Sequence, residues 1–207
     1  MTKLYLITGF LGAGKTTFLH QFVRLFPDRR TAIVVNEFGK QGVDGTLLED
    51  LDIKMEEINN GSIFCACKIE QFEDALLRLQ KENFDVIFVE ASGLSDPTAV
   101  GTILRQRDKF PDLEYAGAIC LVDGARFMTV YKTARVCRMQ LAISDMIIIN
   151  KCDIASREQL DEINTIVRAQ YQKATALEAL FGWLYLQGRH ERINELFNRM
   201  MEANDAA

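Results

Sequence analysis

Residues 4–17 constrain this chain more than any other stretch. An apolar run, Leu4-Tyr5-Leu6-Ile7-Thr8, feeds directly into Gly9-Phe10-Leu11-Gly12-Ala13-Gly14-Lys15-Thr16-Thr17. That is a strand followed by GxxxxGKT. In a loop of this kind the backbone N–H groups surround a phosphate, the lysine reaches the β- and γ-phosphates, and the hydroxyl after it holds Mg²⁺. Lys15 and Thr16 take those two roles. Thr17 is placed to meet the α-phosphate, and Gly9, Gly12, Ala13 and Gly14 form the cradle. A chance glycine-rich turn would not supply Lys15 and Thr16 together at the start of a helix.

Two further motifs follow apolar runs. Ile147-Ile148-Ile149 leads into Asn150-Lys151-Cys152-Asp153, an NKxD sequence. A carboxylate at Asp153 can accept hydrogen bonds from both N1–H and the 2-amino group of guanine. Adenine offers no such pair, and a buried acceptor left unpaired discriminates against it. Lys151 can lay its stem along the base. Phe84–Val89 leads into Glu90-Ala91-Ser92-Gly93. An acid at a strand tip beside a phosphate loop can hold Mg²⁺ through water, and a glycine after it lets a backbone N–H face the γ-phosphate. Glu90 also has a plainer reading, as a solvated strand end.

The motifs sit in a repeating pattern. Strand-like runs fall at 3–8, 31–35, 53–58, 84–89, 115–122 and 145–149. Helical spacing falls at 15–26, 69–82, 134–142, 157–171 and 189–202, and Asp96-Pro97 reads as another helix start. Short apolar runs alternating with helices predict an α/β fold, a mostly parallel sheet with helices on both faces. Within the 69–82 helix, Phe72, Ala75, Leu76 and Leu79 form the buried stripe. The chain reads as one domain over 1–207, with 189–202 a C-terminal helix and 203–207 a frayed tail.

Composition excludes several partners. The 207 residues carry a formal charge of -5 and no basic stripe with interleaved aromatics, so a nucleic-acid backbone is a poor partner. Neither a signal-like N-terminus nor an 18-residue apolar run occurs, and the expectation is a cytoplasmic protein off the membrane. Five cysteines argue against a secreted disulfide framework. Cys120 belongs to a core strand, and Cys137 lies in a helix-like stretch. Cys65 and Cys67 are close enough, in a polar enough setting, to suggest chemistry.

Taken together, Gly9–Thr17, Asn36-Glu37-Phe38-Gly39 with Gly42 and Asp44, the Asn60-Gly61 turn before the cysteines, Glu90…Gly93…Asp96-Pro97 and Asn150–Asp153 resemble the CobW-type GTPases, relatives of the UreG and HypB nickel-insertion GTPases. The resemblance covers about residues 3–155. It implies a slow, metal-responsive GTPase, binding GTP or GDP with Mg²⁺, that helps deliver or insert a metal or metallocofactor into a client. It also implies a nucleotide-dependent homodimer. Two departures stand out. Many members carry Gly-Cys-x-Cys-Cys, where this chain reads Gly61-Ser62-Ile63-Phe64-Cys65-Ala66-Cys67. Longer members continue into a C-terminal domain, and the expectation from the resemblance is a GTPase domain that stands alone or works with a partner. The base-contacting loop is poorly marked, and Tyr171–Thr175 is the candidate.

Two thiolates separated by one residue can face one ion if the chain turns between them, and soft ligands suit Zn²⁺ or Cu⁺, with Co²⁺ or Ni²⁺ able to follow. The resemblance adds Glu37 to Cys65 and Cys67 as a ligand. The same cysteines would serve equally to cap and pack the helix that begins near residue 69. No glutamine adjoins Gly93, so the residue that positions the attacking water is open between Glu37 and Asp44. Asn36–Asp44 and Glu90–Ser95 fall where two nucleotide-sensing switches belong. Besides metal delivery, three alternatives stand: a GTPase that remodels a cobalamin-dependent or other metalloenzyme without carrying metal, a small-molecule kinase, and a nucleotide-gated binding module that does not hydrolyse. The NKxD motif and the lack of an arginine-rich lid argue against the kinase.

Overall fold

The computed structural model describes residues 1–25, 27–35, 53–57, 66–94, 97–106, 108–170 and 195. The strands are β1 (Thr2–Thr8), β2 (Thr31–Val35), β3 (Ile53–Glu57), β4 (Val86–Glu90), β5 (Leu113–Asp123) and β6 (Met146–Asn150). The helices are α1 (Lys15–Val23), α2 (Ala66–Leu79, followed by a 3-10 turn at Gln80–Glu82), α3 (Pro97–Leu104), α4 (Phe127–Thr133), α5 (Arg135–Ala142) and α6 (Arg157–Gln170). The six strands form one sheet in the order β3-β2-β4-β1-β5-β6. All of its ladders are parallel.

Alternation along the strands divides the core. Leu4, Leu6, Ala32, Val34, Ile87 and Val89 pack with Phe72, Leu76 and Leu79 of α2 and with Val100, Ile103 and Leu104 of α3. Their neighbours Tyr5, Ile7, Ile33, Val35 and Phe88 face the other way, onto Leu19, Phe22 and Val23 of α1. Toward β6, Cys120, Val122, Ile147 and Ile149 meet Phe127 of α4, Cys137 and Leu141 of α5, and Ile163 and Val167 of α6. Strands covered on both faces need near-continuous apolar sequence, and β2 and β4 are buried at every position.

The expected fold class is the observed one, with small boundary differences. The sheet is wholly parallel among the described residues. Helix α4 was not expected. It is seven residues long, and Ala134 in extended conformation separates it from α5, so its apolar Phe127, Val130 and Tyr131 are too few to show a period. Phe127 and Tyr131 stack on each other at 5.1 Å. Helix α6 starts where the sequence says it should. Ser156 Oγ accepts the Gln159 N–H while Gln159 Oε1 accepts the Ser156 N–H, a reciprocal cap. Of the expected 189–202 helix only residue 195 is described, and it is helical. Among the described residues no helix is long and apolar enough to cross a membrane.

Candidate functional site: a phosphate loop clamped by three strand ends

In a parallel sheet the loops after the carboxyl ends of the strands share one rim, and ligands bind there. Here that rim brings together the loop after β1, Glu90 and Gly93 after β4, Asp123 at the end of β5, and Asn150–Asp153 after β6.

Two glycines of the loop are dictated by backbone geometry. Gly9 has φ +138, and a Cβ there would run into the Leu121 carbonyl of β5. Gly14 caps α1 in the left-handed region at φ +91, and a Cβ there would strike the Asn150 amide. L-residues rarely adopt either conformation. The loop is therefore seated against both β5 and β6.

The NKxD segment holds the loop from the side. Lys151 has φ +58, an uncommon conformation for a residue with a side chain. From that bend, Asn150 Nδ2 donates to the Ala13 carbonyl at 2.9 Å and Lys151 Nζ donates to the Gly12 carbonyl at 2.6 Å. Asn150 Oδ1 also accepts the Lys151 N–H. The Lys151 ammonium makes a 2.8 Å ion pair with Asp123. Asp123 is itself held in place, because its Oδ1 accepts the N–H groups of Ala125 and Arg126 at the turn into α4. The sequence reading gave the Lys151 stem a role against the base; its ammonium clamps the loop. Asp123 is a site residue that sequence reasoning missed. Its only local signal is an acid at the end of an apolar strand, the same signal that singled out Glu90.

Lys15 is 7% exposed, and its Nζ donates to the Gly9 carbonyl at 3.0 Å, so its charge sits at the centre of the loop. Thr16 Oγ1 donates to Glu90 Oε1 at 2.8 Å. Glu90 is 6% exposed, which removes the reading of a solvated strand end. A hydroxyl and a carboxylate side by side are hard oxygen donors of the kind Mg²⁺ takes, and the pair fits that ion. Backbone pairing continues past β4, with Ala91 N–H donating to the Ile7 carbonyl. Thr17 and Asp153 are both exposed on the rim.

Two buried thiols, Cys120 and Cys137, line a cavity whose wall also includes Phe10 and Leu11 of the loop. Burial pushes the Cys120 thiol up to about 12, and the Cys137 thiol to about 11. Cys152 is half-buried and is also raised by burial. Glu37, Asp44, Cys65 and Tyr171–Thr175 lie outside the described residues. Cys67 falls in the first turn of α2. Among the described residues no group of three or more His, Cys, Asp or Glu side chains is arranged to hold a metal ion.

The model of the CobW/HypB/UreG nucleotide-binding domain matches residues 3–178. This chain belongs to that family. Among curated CobW/HypB/UreG-type relatives, the zinc chaperone YeiR of Escherichia coli K12 is 34% identical over 161 residues, covering 76% of this chain and 49% of its own length. The zinc chaperone YjiA of the same organism is 33% identical over 165 residues, covering 76% of this chain and 52% of its own. This chain thus spans about half the length of these relatives. Among solved structures, the hydrogenase maturation factor HypB of Archaeoglobus fulgidus superposes with a TM-score of 0.60 at 20% identity, covering 91% of this chain and 90% of its own. That likeness fixes the fold as the P-loop fold of the family.

Proposed function

We infer that this chain binds GTP with Mg²⁺, hydrolyses it slowly to GDP and phosphate, and couples its nucleotide state to delivery or insertion of a transition metal or metallocofactor into a client protein. The observation that carries the nucleotide half is the clamp of Asn150 and Lys151 on the carbonyls of Ala13 and Gly12. It holds the base-reading segment and the phosphate-binding segment at a fixed spacing, as one bound nucleotide requires. In this reading Lys15 leaves the loop carbonyls for the β- and γ-phosphates, Thr17 meets the α-phosphate, and Asp153 accepts the two guanine donors. Thr16 and Glu90 would hold Mg²⁺, which neutralises charge on the β- and γ-oxygens when bound. Gly93 presents its N–H to the γ-phosphate, and Glu37 or Asp44 positions water.

The metal half rests on family membership and on the names of YeiR and YjiA as zinc chaperones, which make Zn²⁺ the first cargo to test. Cys65 and Cys67, with Glu37, are the proposed carriers, in a nucleotide-dependent homodimer acting in the cytoplasm. The stretch that holds the cysteines lies between the two switch segments, so metal and nucleotide affinities should be reciprocally coupled.

The test measures Zn²⁺, Co²⁺ and Ni²⁺ binding to the reduced chain in nucleotide-free, GDP and non-hydrolysable GTP states, beside a Cys65→Ser/Cys67→Ser variant. Nucleotide-dependent binding lost in the variant supports a metal-carrying GTPase. Absence of metal binding in every state sinks the carrier role and moves the function to remodelling of a metalloenzyme partner.

A further inference from the structure

We propose that Gln140 of α5 is a positioning residue for the nucleotide-sensing segment at Gly93. Its side-chain Nε2 donates to the Gly93 carbonyl at 3.1 Å, across 47 residues of sequence. Gly93 is caught between two elements. On one side is Gln140. On the other is the phosphate loop, so close that a Cβ on Gly93 would lie 2.6 Å from the Leu11 nitrogen. A glycine has no side chain to hold its own peptide planes. Fixing its carbonyl from α5 fixes the Gly93–Leu94 plane, which leaves only φ and ψ of Gly93 between that anchor and the N–H the glycine presents.

The burial of Gln140 argues that this bond serves something besides stability. The residue is 1% exposed. Its Nε2 has the Gly93 carbonyl, whereas its Oε1 has no hydrogen-bond partner among the described residues. A half-satisfied buried amide costs folding free energy that an apolar side chain of the same shape would not. The backbone carbonyl of Gln140 also accepts the Ser144 hydroxyl at 2.6 Å, which fastens the helix end behind it. In front of it lies a cavity of about 110 Å³, bounded by Phe10 and Leu11 of the phosphate loop, by Phe127, and by Cys137. That space lets the carboxamide turn when Gly93 moves, while α5 stays in place. Gln140 thus couples the γ-phosphate sensor to the α5 layer. The inference rests on the proposed role of Gly93 at the γ-phosphate.

Gln140→Met keeps the length and shape of the side chain and removes the donor. The expected result is a melting temperature within a few degrees of the wild type, because relief of the unpaired Gln140 Oε1 offsets the Gly93 carbonyl left without its donor, and unchanged GDP affinity. Affinity for a non-hydrolysable GTP analogue and the single-turnover hydrolysis rate should each fall about tenfold, the effect of one buried hydrogen bond. Gln140→Glu is the second variant. Its carboxylate repels the Gly93 carbonyl, whereas its protonated form donates to it, so GTP-analogue affinity should recover as pH falls, relative to wild type. A Gln140→Met chain that keeps analogue affinity and hydrolysis within twofold of wild type overturns the proposal. So does a pH profile of Gln140→Glu that parallels the wild type, which settles the matter if the methionine variant does not fold. A wild-type chain that binds neither nucleotide overturns the guanine-nucleotide reading itself, a result distinct from either of these.

Discussion

Replacing Lys151 with methionine tests whether the strand ends clamp the phosphate loop. Methionine retains an apolar stem for any contact with the base and removes only the ammonium. Two interactions go. One is the 2.6 Å bond to the Gly12 carbonyl; a hydrogen bond to a charged group contributes about 1.5–3 kcal/mol when buried, and about 1 kcal/mol at most when exposed, as this one is. The other is the ion pair with Asp123, whose side chains are 34% and 10% exposed, for which about 1 kcal/mol is the upper range of exposed pairs. Asp123 is only partly stranded by the change, because its Oδ1 keeps the Ala125 and Arg126 N–H groups while its Oδ2 loses the ammonium. A total of about 2 kcal/mol follows, lowering the melting temperature by about 4–8 °C for a domain of this size. If that energy is what orders the loop for phosphate, nucleotide affinity falls by up to about 30-fold. GDP and GTP should lose equally, since the clamp acts on Gly12 and not at the γ-phosphate. Differential scanning fluorimetry and fluorescent-nucleotide titration read both quantities, and a cycle with Asp123→Asn isolates the ion pair. Unchanged melting with affinities within twofold of wild type would refute the clamp.

Glu90→Gln keeps an acceptor for the Thr16 hydroxyl and removes the charge; Mg²⁺-dependent GTP hydrolysis should fall at least about 100-fold with the melting temperature held within a few degrees, as phosphate release and calorimetry will report. Gly14→Ala places a Cβ against the Asn150 amide in a left-handed backbone, and nucleotide binding should be lost with about 1–3 kcal/mol of stability, measured by urea unfolding. Asp153→Asn reverses one acceptor into a donor, so competition assays should show guanine nucleotides losing their advantage over xanthine nucleotides. Cys120 and Cys137 should resist iodoacetamide in the folded chain at about pH 8. Cys120 holds its proton to about 12 against an ordinary 9.0, so its contribution to stability is complete below 9.0 and is lost as pH rises toward 12; mass mapping and alkaline unfolding check the two statements.

What could be read from the sequence follows from how local each constraint is. Gly9, Gly14 and the Lys15-Thr16 pair were legible because a phosphate loop needs those residues within a few positions of one another. Phe72, Ala75, Leu76 and Leu79 were legible because α2 is long enough to show its period, and all four are buried. Glu90 stood out as an acid at a strand tip, and its carboxylate accepts the Thr16 hydroxyl. Asp123, Gln140 and the ammonium of Lys151 escaped because their partners are 28 to 139 residues away. Nothing near Gln140 distinguishes it from any polar residue in the Arg135–Ala142 helix. Helix α4 escaped for the opposite reason, since two turns hold too few apolar residues to establish a period.

A sheet whose strands all run the same way has a working end and a mute end. Every residue argued here to touch nucleotide leaves a strand at its carboxyl end. Among the described residues the opposite edge carries connections where Arg29, Lys81 and Asp108 are exposed. Met1, 81% exposed, sits at that edge, one residue ahead of β1. A fluorophore, an affinity handle or a surface tether fixed there leaves the carboxyl-end rim facing solution, so the nucleotide and metal titrations proposed above can be run on immobilised protein.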